Sequence, residues 1–452
     1  MVKILRIVQK ESDLQETPLE NLFSEASLQK LSDECGYDKC GVKKITASAL
    51  VHGFLQMFQE GKNSMRILAL KIGLLTQTVI RKESLEARFN RRTLGFALAL
   101  LKSVMQCRVD IMRGDQSNPQ LSASILAKFG NVYISDSTCQ AAPENLTDMF
   151  PSSHNKAGKS KATLRLQVIY NYTAQMFPFF EISSFRDNDQ SASDNIFEVA
   201  QAGDLVIRDL GYFVLPVFAK MIKKGINFIS KYKHGVNVLD NENEQVIDLL
   251  ELFKGKNRVD MNVKLSSKDK VPMRLVANKL PELVAAQRIA KAKAQRHSKT
   301  KHSKEYYELL KWEIYITNVD NEILQAKDFN EIYKIRWFIE IIFKTWKSYF
   351  NFKKILNTKG MSYYRTLITI VLMLVKITYA FTHLFSYIDE KVQNQYHKII
   401  SPLKFMDLIN SLWDQIIKAK SFKDLDHLIP QFAAHATYEV RNNRKNMRIS
   451  FI

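Results

Sequence analysis

Apolar residues recur at helical spacing in Ala47–Phe58 and again in Leu94–Met105, and almost no alternating run appears before residue 115. Residues 1–115 are therefore expected to be all-helical. Ser64 supplies an N-cap for a further helix, and Met65–Gly73 followed by Thr76–Ala87 has the pattern of a helix-turn-helix with Gly73 near its turn. From about residue 120 the period changes. Val132–Ile134 is a short β-type run ending at Ser135-Asp136-Ser137-Thr138, and Leu164–Tyr172 and Met176–Ser183 form a hairpin across Thr-Ala-Gln. A helix is expected over Asp194–Ala202, a buried strand at Leu205–Ile207 with Gly211 as a sharp exit, a helix over Leu215–Lys224 with Pro216 in its first turn, and a strand at Asn227–Tyr232. Strands in succession that then alternate with helices predict a mixed α/β sheet. Residues 236–310 interrupt it with β-rich pieces at Val246–Phe253, Val259–Leu265 and Val271–Ala277 and a charged helix; sheet character returns at Trp312–Asn318.

The next stretch breaks the usual amphipathic pattern. Read as one helix, Tyr333-Lys-Ile-Arg336-Trp337-Phe-Ile-Glu340-Ile-Ile-Phe-Lys344-Thr-Trp346-Lys347 gathers Tyr333, Arg336, Glu340 and Lys347 into a stripe roughly 60° wide, with Lys344 at its edge. Apolar side chains fill most of the remaining circumference. A narrow polar face implies a mostly buried helix whose polar groups line a cleft, although a core helix with an internal Glu-Arg pair has the same pattern.

Composition adds bounds. A chain of 452 residues exceeds one compact core, so two to four domains are expected, and 46% hydrophobic content supports a folded protein. Sixty-six Lys and Arg against 46 Asp and Glu leave +20, which attracts polyanions, nucleic acid first among them, although a basic surface also serves solubility. Basic residues cluster at Arg88, Arg91, Arg92 and Lys102, along Arg288, Lys291, Lys293, Arg296, Lys299, Lys301 and Lys304, and at Arg441, Arg444, Lys445 and Arg448. Each is a solvated face or a phosphate contact.

Cys35, Cys40, Cys107 and Cys139 are too few and scattered for a disulfide framework, and no Cys/His pair follows at zinc-finger spacing. The first residues show no secretory signal, so Asn145-Leu-Thr147 reads as an unused sequon. Gly158-Lys159-Ser160 imitates the end of a P-loop, but Ser153 stands where the upstream glycine is required. No HExxH is present, which disfavours a zinc hydrolase.

The spacing Y-(2)-R-(3)-E-(6)-K at Tyr333, Arg336, Glu340 and Lys347 resembles the signature of bacterial insertion-sequence DDE transposases. Asp136 in Ser-Asp-Ser-Thr and Asp209 in Ile-Arg-Asp-Leu-Gly-Tyr resemble that family's first and second catalytic aspartates. Asp136 also suits a cap, Asp209 a turn, and Asp204 competes as a ligand; Gly211-Tyr212 after Asp209 matches the family pattern. The resemblance covers roughly residues 85–380 and implies a ribonuclease-H-like catalytic core in which Asp136, Asp209 and Glu340 hold two Mg²⁺ ions, with Mn²⁺ as a substitute, for cleavage and transfer of DNA strands. It further implies that Tyr333, Arg336 and Lys347 bind DNA phosphates, and that Trp312 and Trp337 accommodate a flipped base where the pathway uses a hairpin; both tryptophans also suit plain core.

The expected organisation is a helical DNA-binding domain (1–115), the catalytic core in two parts (116–235 and 311–375), a β-rich insertion with a basic helix (236–310) and a helical C-terminal region (376–452). Leu367–Val375 has nine apolar or near-apolar residues before Lys376, short of the about 20 a membrane span takes, and is expected as a buried helix behind the catalytic domain. The implied partners are double-stranded DNA of the transposon ends and target and a second copy in a synaptic dimer, with no membrane and a bacterial cytoplasmic, nucleoid-associated location. A structure-specific nuclease or resolvase of the same fold and a domesticated, non-catalytic DNA-binding protein are the alternatives.

Overall fold

The computed structural model describes residues 5–9, 22–38, 44–106, 125–152, 162–266, 268–294, 302–356, 360–419 and 421–438. Cys40, Cys107, Gly158-Lys159-Ser160, Arg296, Lys299, Lys301 and the basic residues from Arg441 to Arg448 lie outside them.

The chain divides into two compact units that cut across the expected linear order. Of the described residues, a helical unit combines those within Met1–Gln116, Ser137–Asp187 and Ile339–Arg448, and a strand unit those within Ser117–Asp136 and Asn188–Phe338. The strands are β1 (Leu5–Val8), β2 (Val132–Ala141), β3 (Thr163–Asn171), β4 (Met176–Ser184), β5 (Leu205–Arg208), β6 (Asn227–Lys231), β7 (Val238–Asp240), β8 (Arg258–Leu265), β9 (Val271–Lys279) and β10 (Trp312–Thr317). In the helical unit they lie in the order β1-β4-β3-β2, and in the strand unit in the order β2-β5-β6-β10-β9-β8-β7. Strand β2 passes from one unit to the other between Asp136 and Ser137.

Local signals account for much of this. The β3/β4 hairpin closes where Asn171 Oδ1 accepts from Ala174 N at 3.0 Å, an Asx-turn, and Gln175 takes φ 52°. Strands β2, β5 and β6 pair in parallel, and the short apolar runs Val132–Ile134 and Leu205–Ile207 suit strands buried on both faces. The helix Leu215–Lys223 accepts Pro216 in its first turn, where no intrahelical N–H is needed.

Several expectations fail for identifiable reasons. The N-terminal region is not free of strands, because β1 pairs antiparallel with β4 and Arg6 meets the buried Glu181 at 2.8 Å; four residues carry no period without that partner. Only a 3₁₀ turn, Ser193–Glu198, forms where a helix over Asp194–Ala202 is expected. Val246–Phe253 is not a strand, since Asp248 accepts from Leu250 N and Glu251 N and caps a helix over Leu249–Phe253. Strands β7 to β9 continue the sheet, with β9 pairing with β10.

The apolar segment Leu367–Val375 is a buried helix, as expected, and lies in the helical unit. Tyr363–Thr378 is buried on every face from Arg365 onward and packs on the helices Arg91–Gln106 and Ala47–Gln59. It continues through a π-helical turn into Phe385–Tyr396, making a 34-residue helix whose most apolar 18-residue window has mean hydropathy 1.8, long and apolar enough to cross a membrane but with that window wholly buried.

Gly73 does not make the expected turn. The helix Met65–Thr76 runs through it and ends at Gln77, in left-handed conformation, before the short helix Lys82–Glu86. What Gly73 permits is close approach, since a Cβ there would lie 2.6 Å from the Thr78 carbonyl oxygen. Gly73→Ala is expected to cost about 1–2 kcal/mol, read as a lower midpoint in denaturant unfolding.

Candidate active site

Strands β2 and β5 run parallel, and their last registered pair is Ser135 with Arg208. The next residue on each is an aspartate. Asp136 is therefore not at a strand end, as its flanking sequence suggests, but inside β2, where pairing with β5 stops and the strand continues to Ala141. Asp209 opens the 3₁₀ turn Leu210–Tyr212; its carbonyl accepts from Tyr212 N at 3.1 Å, while its side chain makes no capping bond.

Both carboxylates face one guanidinium. Arg336 Nη1 lies 3.9 Å from Asp136 Oδ2 and Arg336 Nε lies 4.0 Å from Asp209 Oδ1. The side chain of Arg336 is 8% exposed, that of Asp136 19% and that of Asp209 49%, so the two acids open toward solvent over a buried cation. Asp204, the competing acid, is excluded as a ligand. It is buried, and its carboxylate accepts from Asn131 N at 2.8 Å and Gln201 N at 2.7 Å, which makes it a clamp on the loop before β2.

The segment carrying Arg336 is not one helix. Phe329–Lys334 and Trp337–Ser348 are separate, joined by a turn at Ile335-Arg336 whose bonds, Ile335 N to Ile332 O, Arg336 N to Tyr333 O and Phe338 N to Ile335 O, are of the tighter i−3 type. The uniform 3.6-residue stripe thus does not exist. The break puts Tyr333 on the first helix, Arg336 in the turn, and Glu340 and Lys347 on the second helix. Residues from Ile339 onward belong to the helical unit, whereas Asp136, Asp209, Tyr333, Arg336 and Trp337 belong to the strand unit. Glu340 is half-buried, and Lys344 and Lys347 are exposed.

Tyr333 is buried and donates its hydroxyl to Arg208 O at 3.0 Å, tying the first helix to the base of the Asp209 turn. Burial pushes its phenol pKa upward; Arg336 opposes the shift and Asp209 adds to it. Arg208 itself is buried, donates to Ser193 O at 2.9 Å and lies over the Tyr212 ring, and burial lowers its pKa to about 10.

The two tryptophans separate clearly. Trp337 is 49% exposed and lies beneath the Arg336 guanidinium, 5.4 Å from its ring centroid, so it is not helix core. Trp312 is buried, with its ring centroid 4.5 Å from that of Phe253; stacking on a base would require it to leave that packing.

Sequence reasoning missed Lys231. Its ammonium sits 5.4 Å over the Tyr333 ring and 3.0 Å from Glu313 Oε2, and Glu313 also pairs with Arg288. In Lys231-Tyr-Lys233-His the alternation of a strand end offered a signal, but without the pairing of β6 with β10 nothing placed Lys231 beside Tyr333. On the basic helix, Lys291 and Lys293 remain exposed.

Two hard oxygen donors held over a buried cation, one within β2 and one just past the end of the parallel strand β5, define an α/β protein suited to phosphate chemistry. The chain matches the family described as Transposase DDE domain over residues 127–375, and it belongs to that family. It is similar to the transposase for insertion sequence element IS231F of Bacillus thuringiensis subsp. israelensis, 27% identical over 304 residues, which are 63% of this chain and 62% of that protein. The transposase for IS231B of Bacillus thuringiensis subsp. berliner is 25% identical over 356 residues, 74% of this chain and 72% of its own length. The transposase for IS1151 of Clostridium perfringens is 25% identical over 315 residues, covering 65% and 64%. The match to the IS231F protein thus spans less than two thirds of that relative.

Divalent metal is general in the family. Asp136 and Asp209 fit such an ion in donor type and in already sharing one cation, Arg336. Among the described residues no three His, Cys, Asp or Glu side chains gather as a metal site.

Proposed function

We propose that this chain is a DNA transposase that binds terminal inverted repeats and carries out strand cleavage and strand transfer. The observation that carries the reading is the family match over residues 127–375, inside which Asp136 and Asp209 face Arg336. A ribonuclease-H-like core is supported by the antiparallel β3/β4 pair of the helical unit and, within the strand unit, by the parallel order β2-β5-β6.

In this reading Asp136, Asp209 and Glu340 would hold two Mg²⁺ ions, which when bound would activate a water or a DNA 3′-hydroxyl for attack and neutralise charge on the leaving oxygen. The rest of the work falls to protein side chains. Arg336, placed between the aspartates by its turn, presents a fork of donors to a phosphate. Tyr333 braces that turn through Arg208 O, and the exposed Lys347 offers a mobile cation farther along the DNA. Lys231, partly exposed beside Tyr333, adds a second cation near the same phosphate. Trp337 is the aromatic surface open to an unpaired base. Hydrolysis of one strand leaves a 3′-OH that attacks the opposite strand or target DNA, and two copies act together at paired ends.

The test is incubation of the full chain with DNA of the element's ends and Mg²⁺. Release of a 3′-OH at the end, followed by joining of a 3′-OH end oligonucleotide to plasmid, is expected. Cleavage without joining assigns a nuclease instead, and binding without cleavage a non-catalytic protein.

A further inference from the structure

The helix Met65–Thr76 buries Leu68 and Ile72 against Gly53 of the neighbouring helix, yet its opposite face is also apolar. Leu70 and Leu74, one turn apart, are 62% and 72% exposed, and beyond the turn Val79 is 87% exposed. With Leu75 they leave on the order of 400 Å² of apolar surface in water, the scale at which a patch on a soluble protein signals a partner. The patch is concave. A groove of about 630 Å³ is lined by the helix and the Gln77–Ile80 segment, with Arg66 and Lys82 among its lining residues. Lys71, on the same helix, is neutralised by Glu60 at 2.7 Å, whereas neither Arg66 nor Lys82 has a carboxylate within ion-pair distance among the described residues.

We propose that this groove seats an acidic amphipathic helix of a partner protein, with apolar anchors one turn apart against Leu70, Leu74 and Val79 and carboxylates meeting Arg66 and Lys82. Helices dock in grooves through such i and i+4 anchors. A second copy of this chain fits less well. It would bury about half of the roughly 800 Å² per partner of a standard interface, and would bring two cationic rims together. DNA also fits less well, because leucine and valine offer base edges no donor or acceptor.

The probe is a synthetic, fluorescein-labelled helix of about five turns, with leucines on one face and glutamates elsewhere, titrated against the full chain. Saturable binding near 1–10 μM is expected. A Leu70→Asp/Leu74→Asp protein should bind roughly 10- to 100-fold more weakly, from the lost burial. An Arg66→Glu/Lys82→Glu protein should lose about 5-fold and regain it with a peptide carrying lysine for glutamate. These positions are exposed, and circular dichroism checks that the variants fold. Metal-dependent cleavage of terminal DNA by the unmodified protein should be the same with and without saturating peptide, which separates this proposal from the transposase reading. Absent binding, or binding indifferent to the leucine substitutions, overturns it. A concentration-dependent dimer abolished by Leu70→Asp/Leu74→Asp assigns the groove to a second copy, and loss of terminal-DNA binding assigns it to DNA; either also overturns it.

Discussion

Asp136→Asn, Asp209→Asn and Glu340→Gln proteins are expected to bind terminal DNA and to cut it slower by on the order of 10³-fold or more with either Mg²⁺ or Mn²⁺. Each amide keeps the shape of the acid and removes the charge that a divalent ion needs. Asp136 and Asp209 face the buried Arg336, so losing either acid leaves that guanidinium one carboxylate opposite it and the local fold braced by Tyr333. DNA affinity should hold or rise, because each variant is less negative beside a polyanion. The measurement is a paired one, with gel-shift affinity and single-turnover cleavage on the same terminal duplex. A variant that cuts at the wild-type rate removes its residue from the metal site. Glu340 is the most informative of the three, because its place in the triad rests on spacing along the signature rather than on a contact with either aspartate.

Lys376→Met is expected to stabilise the protein by roughly 2–3 kcal/mol at pH 7, and much less at pH 10. Lys376 is buried in the apolar helix Tyr363–Thr378, its ammonium 4.4 Å from the Trp413 ring centroid, 5.5 Å from that of Phe350 and 3.4 Å from Asn410 Oδ1. Burial lowers its pKa to about 7, with Asp414 pulling weakly the other way. The unfolded chain keeps a lysine near its ordinary value of about 10.4. Between the two values the unfolded state binds more protons, so the Lys376 contribution to stability rises with pH through that window and is flat below about pH 7. Below the window the folded state carries the full cost of a buried ammonium, only partly offset by the two rings. Methionine has similar length and no charge. Denaturant midpoints of both proteins at pH 6, 7, 9 and 10 give the difference directly; an advantage for methionine that stays constant with pH would show that Lys376 is not charged against its surroundings.

The amino-acid sequence by itself determined the elements whose signals are local. The β3/β4 hairpin, the apolar strands β5, β6 and β10, and the Leu215–Lys223 helix each carry their own period and turn residues, so they were legible without neighbours. The signature residues are proposed as a set from spacing and resemblance alone. Only tertiary structure decided the rest, since each remaining feature depends on a partner distant in sequence. Strand β1 exists because of β4 and Glu181. The Tyr363–Thr378 helix is core because the N-terminal helices surround it. Asp204 and Asp209 are both acids beside an apolar strand, and what separates them is that two backbone N–H groups consume Asp204 while Asp209 faces Arg336. Arg336 comes between two aspartates because the helix breaks at Ile335-Arg336, and no repeat of 3.6 residues foretells where that ladder shortens.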